Sequence, residues 1–313
     1  MTAAASRDVR LWLAPFAALR PQLVRPMALH RLACRADAVA VEAGDAARMA
    51  RAFDILPRGL PVAALTRQLD AGDATGCTWL RADPGFVRAD MATVRLYASG
   101  ELGLEPDECE ALLEPLRPLF GDEGFPISAP TPSRWYLCLP WEARLPAFDA
   151  PAQVIGDDLF AHMPEGDAGR RWRRLMNEAQ VILHNHPVNL RRAAAGKLPA
   201  NTLWFWGASR LPDHVRCGHG QVRSGDVLLR ALALAAGVEF STDAQAGTLP
   251  PGALADLREV GEAAVLESHW IAPLMARVAR GELVGIELDF GDGLMLRWRQ
   301  AHRWRVWRTR LPQ

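Results

Sequence analysis

Lysine is almost absent from this chain of 313 residues: Lys197 is the only one, so 35 of the 36 basic residues are arginine. A GC-rich coding sequence produces that bias, and by itself it identifies no chemistry. Net charge is missing as well, because 36 acidic residues balance the 36 basic ones. This excludes a surface that draws in nucleic acid or anionic membrane through its overall field. No apolar stretch reaches the about 18 residues that a membrane-spanning helix needs. The longest early run, residues 11–19, is broken by Pro15 and followed by Arg20 without a cleavage site, so it reads as a core segment and not as a leader. Cysteine is sparse and odd in number, with no CxxC pair. Cys34, Cys77, Cys109, Cys138 and Cys217 therefore read as reduced thiols of a cytoplasmic protein, not as a disulfide framework.

What is present is ample hydrophobic material. Half of the residues are apolar, enough for one large domain or two ordinary ones. Residues 10–13, 38–41, 60–65, 78–81, 134–139 and 202–206 read as strands. Helices are expected over 45–53, opened by an acidic cap, over 170–183, and over 226–236 ended by Gly237. The helix at 170–183 is the clearest, since Trp172, Leu175, Met176, Ala179, Ile182 and Leu183 recur at three- and four-residue steps. Such alternation predicts an α/β fold with a mixed, partly parallel sheet flanked by helices. Residues 284–290, 294–299 and 303–307 are expected to add a C-terminal antiparallel meander around the turn Gly291-Asp292-Gly293. The small-residue, proline-rich stretch 242–251 suggests two lobes, an α/β lobe over 1–245 and a helix-plus-meander lobe over 246–313.

Charge is distributed unevenly. Residues 99–125 hold eight acids against Arg117, with Glu105-Pro106-Asp107-Glu108 opening a helix at its positive end. Near the C-terminus Arg297, Arg299, Arg303, Arg305, Arg308 and Arg310 interleave with Trp298, Trp304 and Trp307. Such residues on a strand can grip phosphates and stack on bases. The preferred reading is a meander whose tryptophans fill the core beneath the arginines, with Arg303, Arg305, Trp307 and Arg308 kept as a candidate interaction surface. Nucleic acid is not the favoured partner.

Residues 186–201 hold the densest group of bidentate side chains. Asn189 and Arg192 lie on a short helical turn ended by Gly196, and Asn201 follows Pro199-Ala200. Arginine binds phosphate or carboxylate through a planar fork, and asparagine can fix a loop or a hydroxyl. The alternative is that these groups merely cap and turn the backbone. The run HPVNLRRAAAGKLPANTLWFWG, His186 to Gly207, resembles a motif of the archaeal-type, cofactor-independent phosphoglycerate mutases. The segment FVRADMATV, Phe86 to Val94, looks like their RxNxATV strand, with Asp90 where Asn is usual, and Arg134 stands where they have a His-Arg pair. This resemblance covers roughly residues 79–240. Over nearly the whole chain the sequence is similar to bacterial proteins labelled phosphoglycerate mutase or RpfE-type regulatory protein, through ADP (82–84), RWYL (134–137), NEAQ (177–180), HPVN (186–189) and WFWG (204–207).

The mutase resemblance implies a site like that of alkaline phosphatase, with two divalent metals held by Asp and His and a phosphoryl-carrying Ser. Such a site needs an Asp-Gly just after the first strand and late, clustered Asp and His ligands. Here residues 10–13 are followed by Ala14-Pro15-Phe16, and the late region has Glu267, Ser268 and His269 with no clustered Asp and His around them. His184 and His186 with Cys217 and His219 would make a four-ligand zinc set, but histidines that are internally bonded or face solvent are preferred. Ser224-Gly225-Asp226 reads as a helix cap, not a nucleophile turn. The resulting expectation is a regulatory or metabolite-binding protein that needs no cofactor and carries no catalytic residue. It would bind a phosphorylated or carboxylated metabolite near Arg88, Arg134, His186, Asn189, Arg192 and Asn201, or a regulatory protein partner, away from any membrane. Two alternatives stay open: a mutase or phosphatase dependent on a divalent metal such as Mn or Zn, and an interaction module using the C-terminal Arg/Trp surface.

Overall fold

The computed structural model describes residues 8–90, 93–243 and 245–312. Its strands, in chain order, are β1 Val9–Leu13, β2 Asp37–Ala40, β3 Phe53–Leu56, β4 Thr78–Asp90, β5 Thr93–Ser99, β6 Ile127–Thr131 and β7 Arg134–Leu139. They continue with β8 Thr202–Ser209, β9 His214–Cys217, β10 Gln221–Arg223, β11 Glu239–Ser241, β12 Leu254–Leu257, β13 Gly285–Asp289 and β14 Leu294–Arg299. The fold is α/β, as expected. It consists of two compact units, one formed by Met1–Gly59 with Pro212–Gln313 and one by Leu60–Leu211.

The discontinuous unit is built on a seven-stranded sheet of order β11-β10-β12-β1-β13-β14-β2. From β11 to β13 neighbouring strands are parallel; β14 and β2 are added antiparallel. Side chains alternate across a strand, so β1 sends Val9, Leu11 and Leu13 into one core and Arg10 and Trp12 to the opposite face. That core also takes Ile286 and Leu288 of β13, together with Leu266, Ile271 and Leu274 from the helices around 263–279. The boundary expected at 242–251 falls inside this unit, because β12 and β13, which follow it in sequence, flank β1 on either side. Residues 303–307 are not a strand. The chain leaves β14 through a 3₁₀ turn at Gln300–Trp304, and the neighbour of β14 on that side is β2, so the expected meander stops at a hairpin.

In the unit Leu60–Leu211, the long strand β4 pairs with β5, β7 and β8, and β6 extends the sheet beyond β7. The helix Gly166–His184 buries Trp172, Leu175, Met176, Ala179 and Leu183, the face read from its periodicity. Trp172 meets Phe125 in a stack at 5.4 Å and Phe205 of β8 edge-on at 5.2 Å. Residues 60–65, expected as a strand, open the helix Val62–Ala71 instead. A short apolar run has no period that separates strand from helix. Here Gly72, left-handed at φ 74°, ends the helix, while Ala63 and Ala64 pack against Trp79 and Tyr136.

Candidate functional site

Open α/β sheets bind their ligands outside the carboxyl ends of the parallel strands. At that edge the register aligns three residues on one face: Trp12 of β1 lies between Asp256 of β12 and Asp289 of β13. Both carboxylates occur within short apolar strands, and β-alternation sends them to the face opposite the Leu266–Leu274 core. Trp12 and Asp289 are fully buried.

Arginines hold these carboxylates. Asp256 accepts both forks of Arg258, each at 2.8 Å, and the Ser224 hydroxyl at 2.8 Å. Arg258 also reaches Asp226 at 2.9 Å and Asp45 at 3.2 Å. Asp289 accepts from Arg51 at 2.8 and 3.2 Å and from the Gly291 amide at 3.1 Å, and it forms an ion pair with Arg48 at 3.4 Å. The helix Asp45–Ala52 supplies Arg48 and Arg51, three residues apart and so neighbours on one side of it. Arg258 and Arg48 lie over the Trp12 ring, 5.4 and 5.9 Å from its centroid. Burial works to raise Asp256, but the bonds from Arg258 and Ser224 outweigh it and hold this carboxyl below its usual range. Burial likewise works against the charge on Arg258, yet Asp256, Asp226 and Asp45 together drive its pKa upward. The Arg48 pKa is lowered, chiefly by burial.

This donor set does not fit the two divalent metals implied by the resemblance. Guanidinium groups already pair with both carboxylates, and among the described residues no group of three or more His, Cys, Asp or Glu is placed to hold a metal ion. Ser224 does not face a histidine. Its hydroxyl donates to Asp256 and accepts from the Asp226 amide at 2.8 Å, while Asp226 caps the following helix through the amides of Leu228 and Leu229.

The residues singled out in 186–201 turn their polar groups onto the chain. His186 caps the helix Pro187–Ala194 by accepting from the Val188 amide. Asn189 donates to the carbonyls of Leu183 and Ala200 at 2.7 and 2.8 Å and accepts from the Ala200 amide at 2.9 Å. Asn201 pairs in both directions with the Val87 backbone. Arg192 is buried and donates to the carbonyls of Leu198, Gly103 and Leu102 and to Glu108 at 2.5 Å. The group is therefore a clamp that fixes the start of β8 against β4 and the acidic helix Pro106–Leu113. Arg134 lies apart, forking onto Asp70 with both bonds at 2.7 Å, and exposed Arg88 rests over Tyr97. A further buried pair, Arg81 with Asp83 of the ADP string, takes the indole N–H of Trp206 from the WFWG string at 2.7 Å. These strings are thus joined by packing on one strand pair.

His184 and His186 belong to the unit Leu60–Leu211, and Cys217 and His219 to the other. His219 is buried, and its Nδ1 lies 3.0 Å from the Gly252 carbonyl, so the neutral ring donates there. Near the C-terminus the core takes Trp298 only: Trp304 and Trp307 are 67% and 73% exposed, contrary to the expected packing beneath the arginines. Sequence reading missed Trp12, Arg48, Asp256, Arg258 and Asp289. The available signal was a single carboxylate at the end of each of two short apolar strands.

Burial lowers His219 to about 4, so between its ordinary 6.5 and that value the unfolded chain binds a proton that the folded ring refuses. Stability is whole above pH 6.5 and falls as the pH drops toward 4. The loss from pH 7 to pH 5 is about 2 kcal/mol. Urea unfolding of the wild type and His219→Gln at both pH values checks this: the variant's stability difference between the two should be smaller by that amount.

No family model matches the chain. A segment is 36% identical over 94 residues to a Geobacter sulfurreducens protein named "probable 2,3-bisphosphoglycerate-independent phosphoglycerate mutase", covering 28% of this chain and 24% of that protein. The 2,3-bisphosphoglycerate-independent phosphoglycerate mutase of Methanothrix thermoacetophila is 35% identical over 92 residues, again 28% and 24%. The match thus spans about a quarter of the length of these relatives. Among solved structures, a cofactor-independent phosphoglycerate mutase of Thermoplasma acidophilum aligns over 94% of this chain and 90% of its own, at 15% identity and a TM-score of 0.45. A Pyrococcus horikoshii protein aligns over 94% and 87%, at 14% identity and 0.49. Part of the chain is accordingly similar to cofactor-independent phosphoglycerate mutases.

Proposed function

We propose that this protein is a non-catalytic binding or regulatory protein on a phosphoglycerate-mutase-like scaffold. The observation that supports this most is the row Asp256, Trp12, Asp289 with Arg258 and Arg48 upon it. Metal-assisted phosphoryl transfer needs carboxylates free to bind cations and a nucleophile beside them. At this edge Arg258, Arg51 and Arg48 hold the carboxylates of Asp256 and Asp289, and the Ser224 hydroxyl is committed to Asp256. Asn189, Arg192, Asn201 and Arg134 serve the chain itself, so a phosphorylated or carboxylated metabolite is not routed through them. The competing reading, a metal-dependent mutase or phosphatase, is favoured by the local identity to the curated mutases. Assaying the purified protein for interconversion of 2- and 3-phosphoglycerate with Mn²⁺, Mg²⁺ or Zn²⁺ decides between them. No turnover above buffer is expected, whereas metal-dependent turnover abolished by Asp256→Asn would establish the mutase.

A partner surface is suggested by the C-terminal segment. Arg305 bonds Asp37 and the Arg35 carbonyl, Arg308 bonds the Ala36 carbonyl, and Leu311 packs on the core. On this anchored segment Trp304, Val306 and Trp307 remain exposed, and among the described residues Arg303 and Arg310 form no ion pair. Trp307, Arg308 and Arg310 also line a cavity of about 380 Å³. Contiguous exposed apolar groups mark interaction sites, and their arginine rim selects an acidic protein surface. Titration with polyglutamate should change tryptophan fluorescence in a salt-sensitive way, and the response should vanish in a Trp304→Ala, Trp307→Ala double variant. A larger response to single-stranded oligonucleotide would instead make the partner a nucleic acid, and silence to both would remove the surface.

A further inference from the structure

The two partly buried cysteines of the unit Leu60–Leu211 have no part in the site above, yet their sulfurs are 2.8 Å apart. Register explains the approach. Cys138 of β7 stands opposite Trp79 of β4, and Cys77 lies two residues before Trp79 on the same face, which makes the thiols diagonal neighbours. Ala63, Ala64, Ala74, Trp79 and Tyr136 pack around them. Two sulfurs in ordinary contact sit well over 3 Å apart, whereas a disulfide bond is about 2.0 Å, so closing this one needs a movement of only about 0.8 Å. Nothing lies between them, and both residues retain some solvent exposure, which gives a small oxidant a route.

We propose that Cys77 and Cys138 are an oxidisable dithiol that closes into an intramolecular disulfide with a peroxide. One thiolate attacks the O–O bond, forming a sulfenic acid and releasing water once the departing hydroxide is protonated. The second thiol displaces the sulfenic oxygen as another water, forming the S–S bond. In sum two thiols and one hydrogen peroxide give one disulfide and two waters, with the sulfurs oxidised by two electrons and the peroxide reduced by two. The bond would staple the residue that precedes β4 to β7 and close the chain from 77 to 138, limiting the freedom of the unfolded state.

Proton removal controls the rate. Burial pushes the Cys138 thiol up to about 12, with Cys77 adding to it; Arg67 acts against the rise and Asp73 with it. The Arg67 guanidinium is held over the Trp79 ring, 4.5 Å from its centroid, and forks onto Asp73, while Tyr136 packs beside them with Arg81 over its ring and its hydroxyl on Asp70, which pairs with Arg134. Oxidation is therefore expected to accelerate as the pH rises.

The test treats the full-length protein with hydrogen peroxide, alkylates it without reduction, and maps the peptides by mass. The expected result is a single linked pair, 77 with 138, and a fall in free thiols from five to three, with Cys34, Cys109 and Cys217 alkylated. The oxidised protein should melt higher than the reduced one, and a Cys77→Ser variant should lose both the link and the shift. Five free thiols after treatment, sulfinic acids without a link, or links between chains would overturn the proposal. Cys138→Ser supplies a second variant, so a folding failure in either does not leave the question open.

Discussion

The buried carboxylates at the end of the parallel sheet set the terms for the discontinuous unit. An aspartate that is fully buried, as Asp289 is, cannot keep its charge without partners of opposite sign and hydrogen bonds to all its lone pairs. Arg51 supplies both from the helix that follows β2, the Gly291 amide adds a bond and Arg48 adds charge, and Arg258 supplies both to Asp256 from the residue after β12. The three arginines outnumber the two carboxylates of the row, Asp256 and Asp289, and with the more exposed Asp45 and Asp226 included the edge keeps one net negative charge. Because partners come from opposite ends of the chain, Arg48 with Asp289 and Arg258 with Asp45, neutralisation also joins residues 8–59 to 212–312 across the insertion. The pairings of β1 with β12 and β13, of β2 with β14 and of β3 with β9 make the same join through backbone bonds.

The inserted unit solves a different problem with similar residues. The segment before β8 is irregular: residues 193–198 are exposed and Ala200 is buried, so side chains take up backbone groups that no strand or helix pairs. Asn189 and Asn201 each present a carbonyl and an amide like a piece of β-strand, and Arg192 covers three carbonyls with one planar group. Bidentate side chains suit this work for the reason they suit ligands. A binding motif and a backbone clamp therefore look alike in one dimension.

That ambiguity decides what was legible. The amphipathic helix at 166–184, the capped acidic helix at 106–113 and strands β1, β2, β7 and β8 follow from periodicity and capping chemistry, and the α/β class follows from their alternation. The apolar run at 60–65 carried no period, and the cap that fixes its helical state lies beyond it at Gly72. Residues 303–307 alternate like a strand, but β14 already has β2 as its neighbour on that side, a long-range pairing that local pattern cannot reveal. The candidate site was the least legible part. Trp12, Asp256 and Asp289 meet only through sheet register, and Arg48 and Arg258 were hidden among 35 arginines.

The central claim is that guanidinium groups hold the carboxylates at the carboxyl edge of the parallel sheet and leave neither open to a metal ion. Calorimetric titration of the metal-stripped protein with Mn²⁺ and Zn²⁺ tests it most directly. The account predicts no stoichiometric binding and a melting temperature indifferent to either ion. One or two tight sites per chain, lost together in Asp256→Asn and Asp289→Asn, would contradict it.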